Sequence, residues 1–519
     1  MKLKGRITWV LALAAIAAVY AWAGIMVEFS FDELINKTHR FFGLLSRMWS
    51  WEWWVQDQLW KPLLAQLWKP LLDTFRMAIL GTFLGALLSL PLILLSTRTI
   101  TRSPWLYYPV RFLMGILRTI PDLLYAVLFV AAFGLGTIAG VPALTLFSAA
   151  IIAKMTSESA DNVDRGPIEA VEATGAGRWP VVLFAFIPQI LPIFVSYTLY
   201  VFEINIRVAT VLAYVGAGGI GQNLITALNW FDYPAVATVL IVIFVIVFGI
   251  DYMSGRFRES LVEGKEIHWP WKAGVSLVAV VGILWAASSF NVDPERISRG
   301  MVYLGGMLSR MAATDWSELW TGLEKMLESV NIALIGTTIS MFLAFPMGFL
   351  CAGNLGFPRW LVIILRQIPN AIRTFPEIIL AIFFIATYGP GAFPGVMALA
   401  IHSIGMLSRL NYEIVETMDR GPIEALSAIG ATQTLRFRFA VLPQVLPEFL
   451  AMAIYRFEIN VRAATVLGIV GAGGIGALIL RAVRQGYWSK VGMYLLIVIV
   501  VVSLIDYVSA WARKRIIEG

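Results

Sequence analysis

The chain has 519 residues, 59% of them hydrophobic and only 14% charged, with a formal net charge of +7. So little polar surface cannot coat a water-soluble globule of this size, and the solvent is largely lipid. The lone Cys351 excludes an intrachain disulfide, and with only His39, His268 and His402 scattered beside it the composition argues against a metal centre.

In chain order, Lys2, Lys4 and Arg6 precede an apolar run over 7–27, which predicts a first transmembrane helix with a cytoplasmic N-terminus. Ala21-Trp22-Ala23 near its end leaves a cleavable signal peptide as the other reading. A tryptophan-rich stretch follows, with Trp49, Trp51, Trp53, Trp54, Trp60 and Trp68. Indole rings favour the headgroup boundary, so an outer interfacial helix is expected there, with ligand stacking as the alternative. Further spans near 76–96, 105–133, 142–157, 181–214 and 234–253 bring the count to six. An even number returns the chain to its starting side. The charged stretch Arg256–His268 then reads as a cytoplasmic linker, and Trp271–Phe290 opens a second set of spans. Basic residues cluster in short loops and at helix ends, as at Arg98, Arg102, Arg165, Arg178, Lys265, Arg420 and Arg513-Lys514-Arg515. That pattern suits positive-inside topology better than a nucleic-acid-binding face.

An internal repeat organises the rest. Asp164-Arg-Gly-Pro-Ile-Glu-Ala170 recurs 255 positions later as Asp419-Arg-Gly-Pro-Ile-Glu-Ala425, and the same offset relates Arg118 to Arg373, Glu203 to Glu458 and Gly216 to Gly471. Between 164–221 and 419–476, 34 of 58 positions agree, so the duplication covers a domain and not a motif. The expectation is an all-α polytopic membrane protein of about 12 transmembrane helices in two parallel six-helix repeats, with halves 1–255 and 271–519 joined by the linker 256–270.

Between the fourth and fifth spans of each half, in loops at about 158–180 and 413–435, lies a polar helix-prone stretch, Glu169-Ala-Val-Glu-Ala-Thr-Gly175 and Glu424-Ala-Leu-Ser-Ala-Ile-Gly430. Pro167 and Pro422 suit a first helical turn, and Gly175 and Gly430 suit a stop, which specifies a helix of about two turns. Glu-Ala followed by glycine and then an apolar pair and proline (Pro188, Pro443) resembles the EAA loop of ABC importer permeases, whose helix docks on the ATPase. Val171 or Leu426 stands at the third position of that motif, and Ala185 or Ala440 where isoleucine is usual. Taken with Arg-Thr-Ile/Phe-Pro-Asp/Glu at 118–122 and 373–377, Phe-Glu-Ile-Asn-x-Arg and Val-Gly-Ala-Gly-Gly-Ile-Gly, the chain resembles phosphonate ABC transporter permeases almost end to end.

The resemblance implies a type I importer fold. It assigns ATPase coupling to Glu169, Ala170, Gly175, Glu424, Ala425 and Gly430, and implies two ATPase subunits and one extracytoplasmic binding protein as partners in a bacterial inner membrane. No Gly-x-x-x-x-Gly-Lys-Ser/Thr occurs, so ATP and its magnesium are expected on the partner ATPase, with no cofactor in this chain.

Ionisable residues at bilayer depth face a pathway or each other. Arg118 and Arg373 fall midway along the expected third spans, and Arg207 and Arg462 follow Glu203 and Glu458 by four residues, on one helical face. The Glu–Arg pairs read either as buried structural bridges or as parts of a translocation pathway, and Arg118 and Arg373 as a positive field for a phosphorus oxyanion, with Asp122 and Glu377 as competing partners. The glycine runs (Gly216, Gly218, Gly219 and Gly471, Gly473, Gly474) suit a gate or re-entrant turn more than anion binding. The function expected is import of phosphonate, phosphate, phosphite or hypophosphite. A methionine or quaternary-amine permease and an ion-coupled secondary transporter are the alternatives, and an enzyme ranks last because no nucleophile or metal constellation recurs.

Overall fold

The computed structural model describes residues 17–28, 31–49, 57–101, 103–262, 269–288, 293–355 and 357–518. Lys2, Lys4, Arg6 and residues 7–16 of the first expected span, Trp51, Trp53 and Trp54, the Trp60 side chain, Arg102, Lys265 and His268 lie outside the described residues.

The described chain is helical. In order come α1 (Ala17–Met26), α2 (Phe31–Met48), α3 (Asp57–Ser96), α4 (Pro104–Thr119), α5 (Asp122–Phe133), α6 (Thr137–Ala160), α7 (Gly166–Ala173), α8 (Arg178–Val215), α9 (Gly221–Asn229) and α10 (Tyr233–Val262). The second series is α11 (Trp269–Ser288), α12 (Pro294–Ala312), α13 (Leu319–Cys351), α14 (Arg359–Thr374), α15 (Glu377–Tyr388), α16 (Ala392–Thr417), α17 (Gly421–Ala428), α18 (Gln433–Val470), α19 (Ile475–Gln485) and α20 (Trp488–Glu518).

Among the described residues eight helices are long and apolar enough to cross a bilayer, or ten if each bent pair, α4–α5 and α14–α15, counts as one span. The expected opening spans of the two halves are represented by the described part of α1 and by α11. The expected third span is not straight. Its arms meet at 87° in one repeat and 85° in the other. Pro121 and Pro376 explain the break, because proline lacks the N–H that would continue the ladder and drives the preceding residue out of the helical region; Ile120 and Phe375 are accordingly extended, at ψ 120° and 123°. The tryptophan-rich stretch lies largely outside the described residues. An amphipathic helix, α2, precedes it, and Trp68 lies exposed within the long α3.

The chain forms two compact units, and they are cut differently from the repeat: one is Leu44–Arg310, the other combines Met1–Gly43 with Met311–Gly519. In the first unit α11 packs on α3, with the Arg76 guanidinium 4.8 Å over the Trp285 ring, and Arg296 of α12 donates to the carbonyls of Phe133 and Leu135 at 2.8 and 2.7 Å. In the second unit Tyr20 shares a 2.7 Å hydrogen bond with Thr338, and Phe41 stacks on Phe384 at 5.5 Å. Each unit thus takes its outlying helices from the opening of the other repeat.

Small side chains set the core of each unit. A Cβ on Gly85 would lie 2.4 Å from that of Ser148, so α3 and α6 approach closely there. The buried Asn205 of α8 donates to Thr82 and Ser148, both at 2.7 Å, and Asn460 of α18 donates to Thr337 and Ser403 at 2.8 and 2.9 Å. Each amide ties three helices together. Asn205→Leu is expected to cost about 1 kcal/mol, a downward shift of a few degrees in the thermal midpoint of the detergent-purified chain followed by size-exclusion fluorescence.

Candidate functional site

The two polar loops fold as specified locally. Asp164 and Asp419 each accept the N–H of the glycine two residues on at 2.9 Å, turning the chain into α7 and α17 with proline in the first turn. Gly175 and Gly430 end them in the left-handed region at φ +79° and +76°, which glycine adopts without penalty. Residues three apart face inward: Ile168 is buried and Val171 half-buried, with Ile423 and Leu426 half-buried in the other copy. Glu169, Ala170, Glu424 and Ala425 are all exposed. A cavity of about 630 Å³ opens beside α7, lined by Arg98, Arg111, Asp161, Arg165, Glu169 and Glu172 among others. Within its lining Arg111 pairs with Asp161 at 2.5 Å, and the Asp161 carboxylate also accepts the Arg98 N–H. Arg366, Glu416 and Gly353 repeat this corner in the second unit.

Arg118 and Arg373 end the first arm of each bent pair, one turn before the break, and are half-buried. They therefore do not lie midway along a continuous span. Each proline leaves the carbonyl four residues before it without its helical donor. In the first unit that carbonyl, of Leu117, accepts the Tyr125 hydroxyl at 2.7 Å; in the second that of Ile372 accepts the Phe375 N–H at 3.3 Å, and the Phe375 carbonyl meets His402 Nδ1 at 3.0 Å.

Glu203 and Arg207 pair at 3.0 Å, as the spacing predicted, and Glu458 and Arg462 at 2.7 Å. The structure adds a third member from the last helix of each repeat: Arg258 reaches Glu203 at 2.8 Å and Arg513 reaches Glu458 at 2.9 Å. Asp251 adjoins Glu203, and Asp506 lies 3.8 Å from Arg462, so each cluster holds two acids and two arginines. Such a self-neutralising cluster ties α8 to α10 and α18 to α20. The signal for Arg258 and Arg513 lay in the repeat offset, but nothing local joined them to residues 55 positions away.

The glycine runs form tight turns after α8 and α18. Gly216, Gly218, Gly219, Gly471, Gly473 and Gly474 all have φ between +79° and +97°. The loop after each bent pair joins them through Gly136 N–H to Gly216 O at 2.8 Å and Gly391 N–H to Gly471 O at 3.0 Å. The long helices pin the far side, since Ile220 and Ile475 donate to the hydroxyls of Thr74 and Ser329. A Cβ at Gly221 would sit 1.8 Å from the Thr210 carbonyl, which leaves no room for a side chain. Buried amides spent on internal partners make this a tight structural turn and remove those donors from any anion nest.

The family of binding-protein-dependent transport system inner membrane components matches residues 81–258 and 344–518. The chain belongs to that family. Both matches fall on the duplicated region, so one polypeptide carries two permease halves. Among curated relatives, the phosphate-import permease PhnE of Mycolicibacterium smegmatis is 34% identical over 435 residues, covering 83% of this chain and 82% of its own. The phosphite transport permease PtxC of Stutzerimonas stutzeri is 33% identical over 271 residues, 52% of this chain and 98% of its own, as fits a single-half relative. Among solved structures, the inward-facing MetNI methionine ABC transporter matches 40% of this chain and 98% of its own at 24% identity, with a TM-score of 0.35. This permease is an all-helical multi-pass membrane protein of the ABC importer type.

Sequence reasoning missed the features that distinguish the halves. Arg456 is buried at 3% exposure on α18 where the first half has Val201, and His402 on α16 where it has Phe147. Neither departs from an apolar run strongly enough to announce itself.

Proposed function

We propose that this permease imports phosphonate or a related phosphorus oxyanion, phosphate, phosphite or hypophosphite, by alternating access driven by a separate ATPase. Two ATPase subunits bind ATP and magnesium and dock on α7 and α17 through Glu169, Ala170, Glu424 and Ala425, with Gly175 and Gly430 returning the chain to the membrane. One extracytoplasmic binding protein delivers the substrate at the opposite face of a bacterial inner membrane, and both termini are cytoplasmic. Arg118 and Arg373 supply positive potential for the oxyanion, since guanidinium favours such oxygens.

The observation that carries this reading is the pair of short helices. Both are held by an inward face at i and i+3, present an exposed glutamate in the first turn, and stand at one fixed offset in the two halves. A secondary transporter has no use for two matched docking helices, and the named cargoes of PhnE and PtxC support the substrate class. Proteoliposomes holding the permease, its ATPase and its binding protein are expected to accumulate a phosphorus oxyanion in an ATP-dependent manner, and not methionine or betaine. Uptake driven by an ion gradient without ATP, or selective uptake of methionine or betaine, overturns the proposal.

A further inference from the structure

In each half the helix after the short polar one crosses to the opposite face, where α9 and α19 begin. The same stop closes both: Phe231 and Asp232 donate their N–H groups to the carbonyls of Leu228 and Ala227, as Gly486 and Tyr487 do to those of Val483 and Ala482. The residue in the left-handed region is Gly486 in the second half, at φ +72°, and Phe231 in the first, at φ +57°. A bulky side chain is strained there, and such strain is kept where function needs it. Beyond the second stop, Lys490 of α20 pairs with Glu318 at the head of α13 and lies 5.7 Å over the Tyr487 ring, and Tyr494 donates to the same carboxylate at 2.7 Å. Cation, ring and acid all belong to the chain. At the offset of 255, Ala235 stands for Lys490 and Leu63 for Glu318, and both border a cavity of about 280 Å³ lined also by Gln66, Gln222, Asn223, Trp230 and Asp232. A ring and an acid are present again. Trp230 is 79% exposed, and Asp232 is exposed, with Oδ1 accepting the Ala235 N–H at 3.1 Å and no cation paired with it among the described residues. Only the cation is missing.

We propose that this corner of the first half, with Trp230, Phe231 and Asp232 at an amide-lined cavity, docks the extracytoplasmic binding protein by receiving one of its lysine or arginine side chains. The inference rests on the importer reading, which puts that partner on this face. The charge of the incoming group follows from the repeat: the second half fills its corner with its own lysine against a ring and a carboxylate, and the first half keeps ring and carboxylate while the cation comes from outside. A cation over Trp230 is drawn to the indole face and meets Asp232, and the side-chain carbonyls of Gln66, Gln222 and Asn223 accept its remaining N–H groups. The two corners are then unlike, so the partner docks in one of two otherwise equivalent orientations.

The test titrates fluorescently labelled binding protein against the permease–ATPase complex in nanodiscs and reads the concentration that half-saturates binding. Trp230→Ala is expected to raise it about tenfold or more, and Asp232→Asn, which keeps an oxygen for the Ala235 N–H, about tenfold with a flatter dependence on ionic strength. Leu63→Glu combined with Ala235→Lys, which installs the second half's ion pair in the cavity, is expected to raise it by a similar factor. Phe231→Gly, the second half's residue, is expected to raise it about threefold while the thermal midpoint holds or rises, because the left-handed phenylalanine is relieved. Aromatic side chains that only anchor the chain at the headgroup boundary leave the half-saturating concentration within about twofold of wild type in all of these variants. That result overturns the docking corner and leaves the importer reading intact. A wild-type complex that takes up substrate without any binding protein and binds none overturns both.

Discussion

Alanine at both Glu169 and Glu424 is expected to abolish substrate-stimulated ATP hydrolysis while leaving the folded permease intact. Both carboxylates are exposed in the first turn of eight-residue helices, α7 and α17, whose anchoring falls to Ile168, Val171, Ile423 and Leu426. Removing them touches no core contact, so the thermal midpoint of the isolated permease is expected to be unchanged. Docking on a partner buries these charges against complementary groups, and truncating one side of a desolvated charge pair costs enough to weaken coupling on the order of 100-fold or more for the two sites together. The single variants fall between. The measurement is ATPase activity with and without loaded binding protein, together with co-purification of the ATPase. A double variant that keeps its stimulated rate means that the ATPases dock elsewhere.

Glu203→Ala is expected to produce the largest loss of stability in the first unit, and Glu458→Ala the same in the second. Glu203 accepts from Arg207 on its own helix and Arg258 on the last one, and its side chain is 5% exposed. Its removal leaves two guanidinium groups facing Asp251 alone in a low-dielectric setting, at a cost of about 3–5 kcal/mol. A midpoint lower by roughly 5–15 °C in detergent is the expected readout for units of this size. Replacing all four members, Glu203, Arg207, Asp251 and Arg258, together by leucine or methionine recovers most of that stability, since buried ion clusters exchange for apolar side chains at little net cost. The quadruple variant separates two roles: a bridge that only braces α8 against α10 tolerates it with transport retained, whereas a translocation-pathway role loses transport in a folded protein.

Much of this architecture was legible because the signals are local or periodic. The 255-residue offset marks the duplication, Asp-Arg-Gly-Pro followed by a glycine marks each short helix, and a Glu–Arg separation of four predicts the two ion pairs. Pro121 and Pro376 carried the signal for the breaks in the third spans, but apolarity over 105–133 reads the same for a straight span and a bent one. Hydropathy reports what a segment dissolves in, and not the direction in which it runs.

The sequence by itself determined a lipid-embedded, duplicated, all-helical permease with two matched polar helices, because composition, repetition and i to i+4 spacing are properties of one stretch of chain. Only the tertiary structure decided which helices complete each unit, that Arg258 and Arg513 close the ion clusters, and that the buried Arg456 settles on Ser403 and Met406. Those are contacts between helices distant in sequence. They are set by how small side chains let helices approach and by which buried polar group is left needing a partner, and neither can be counted along a single strand of text.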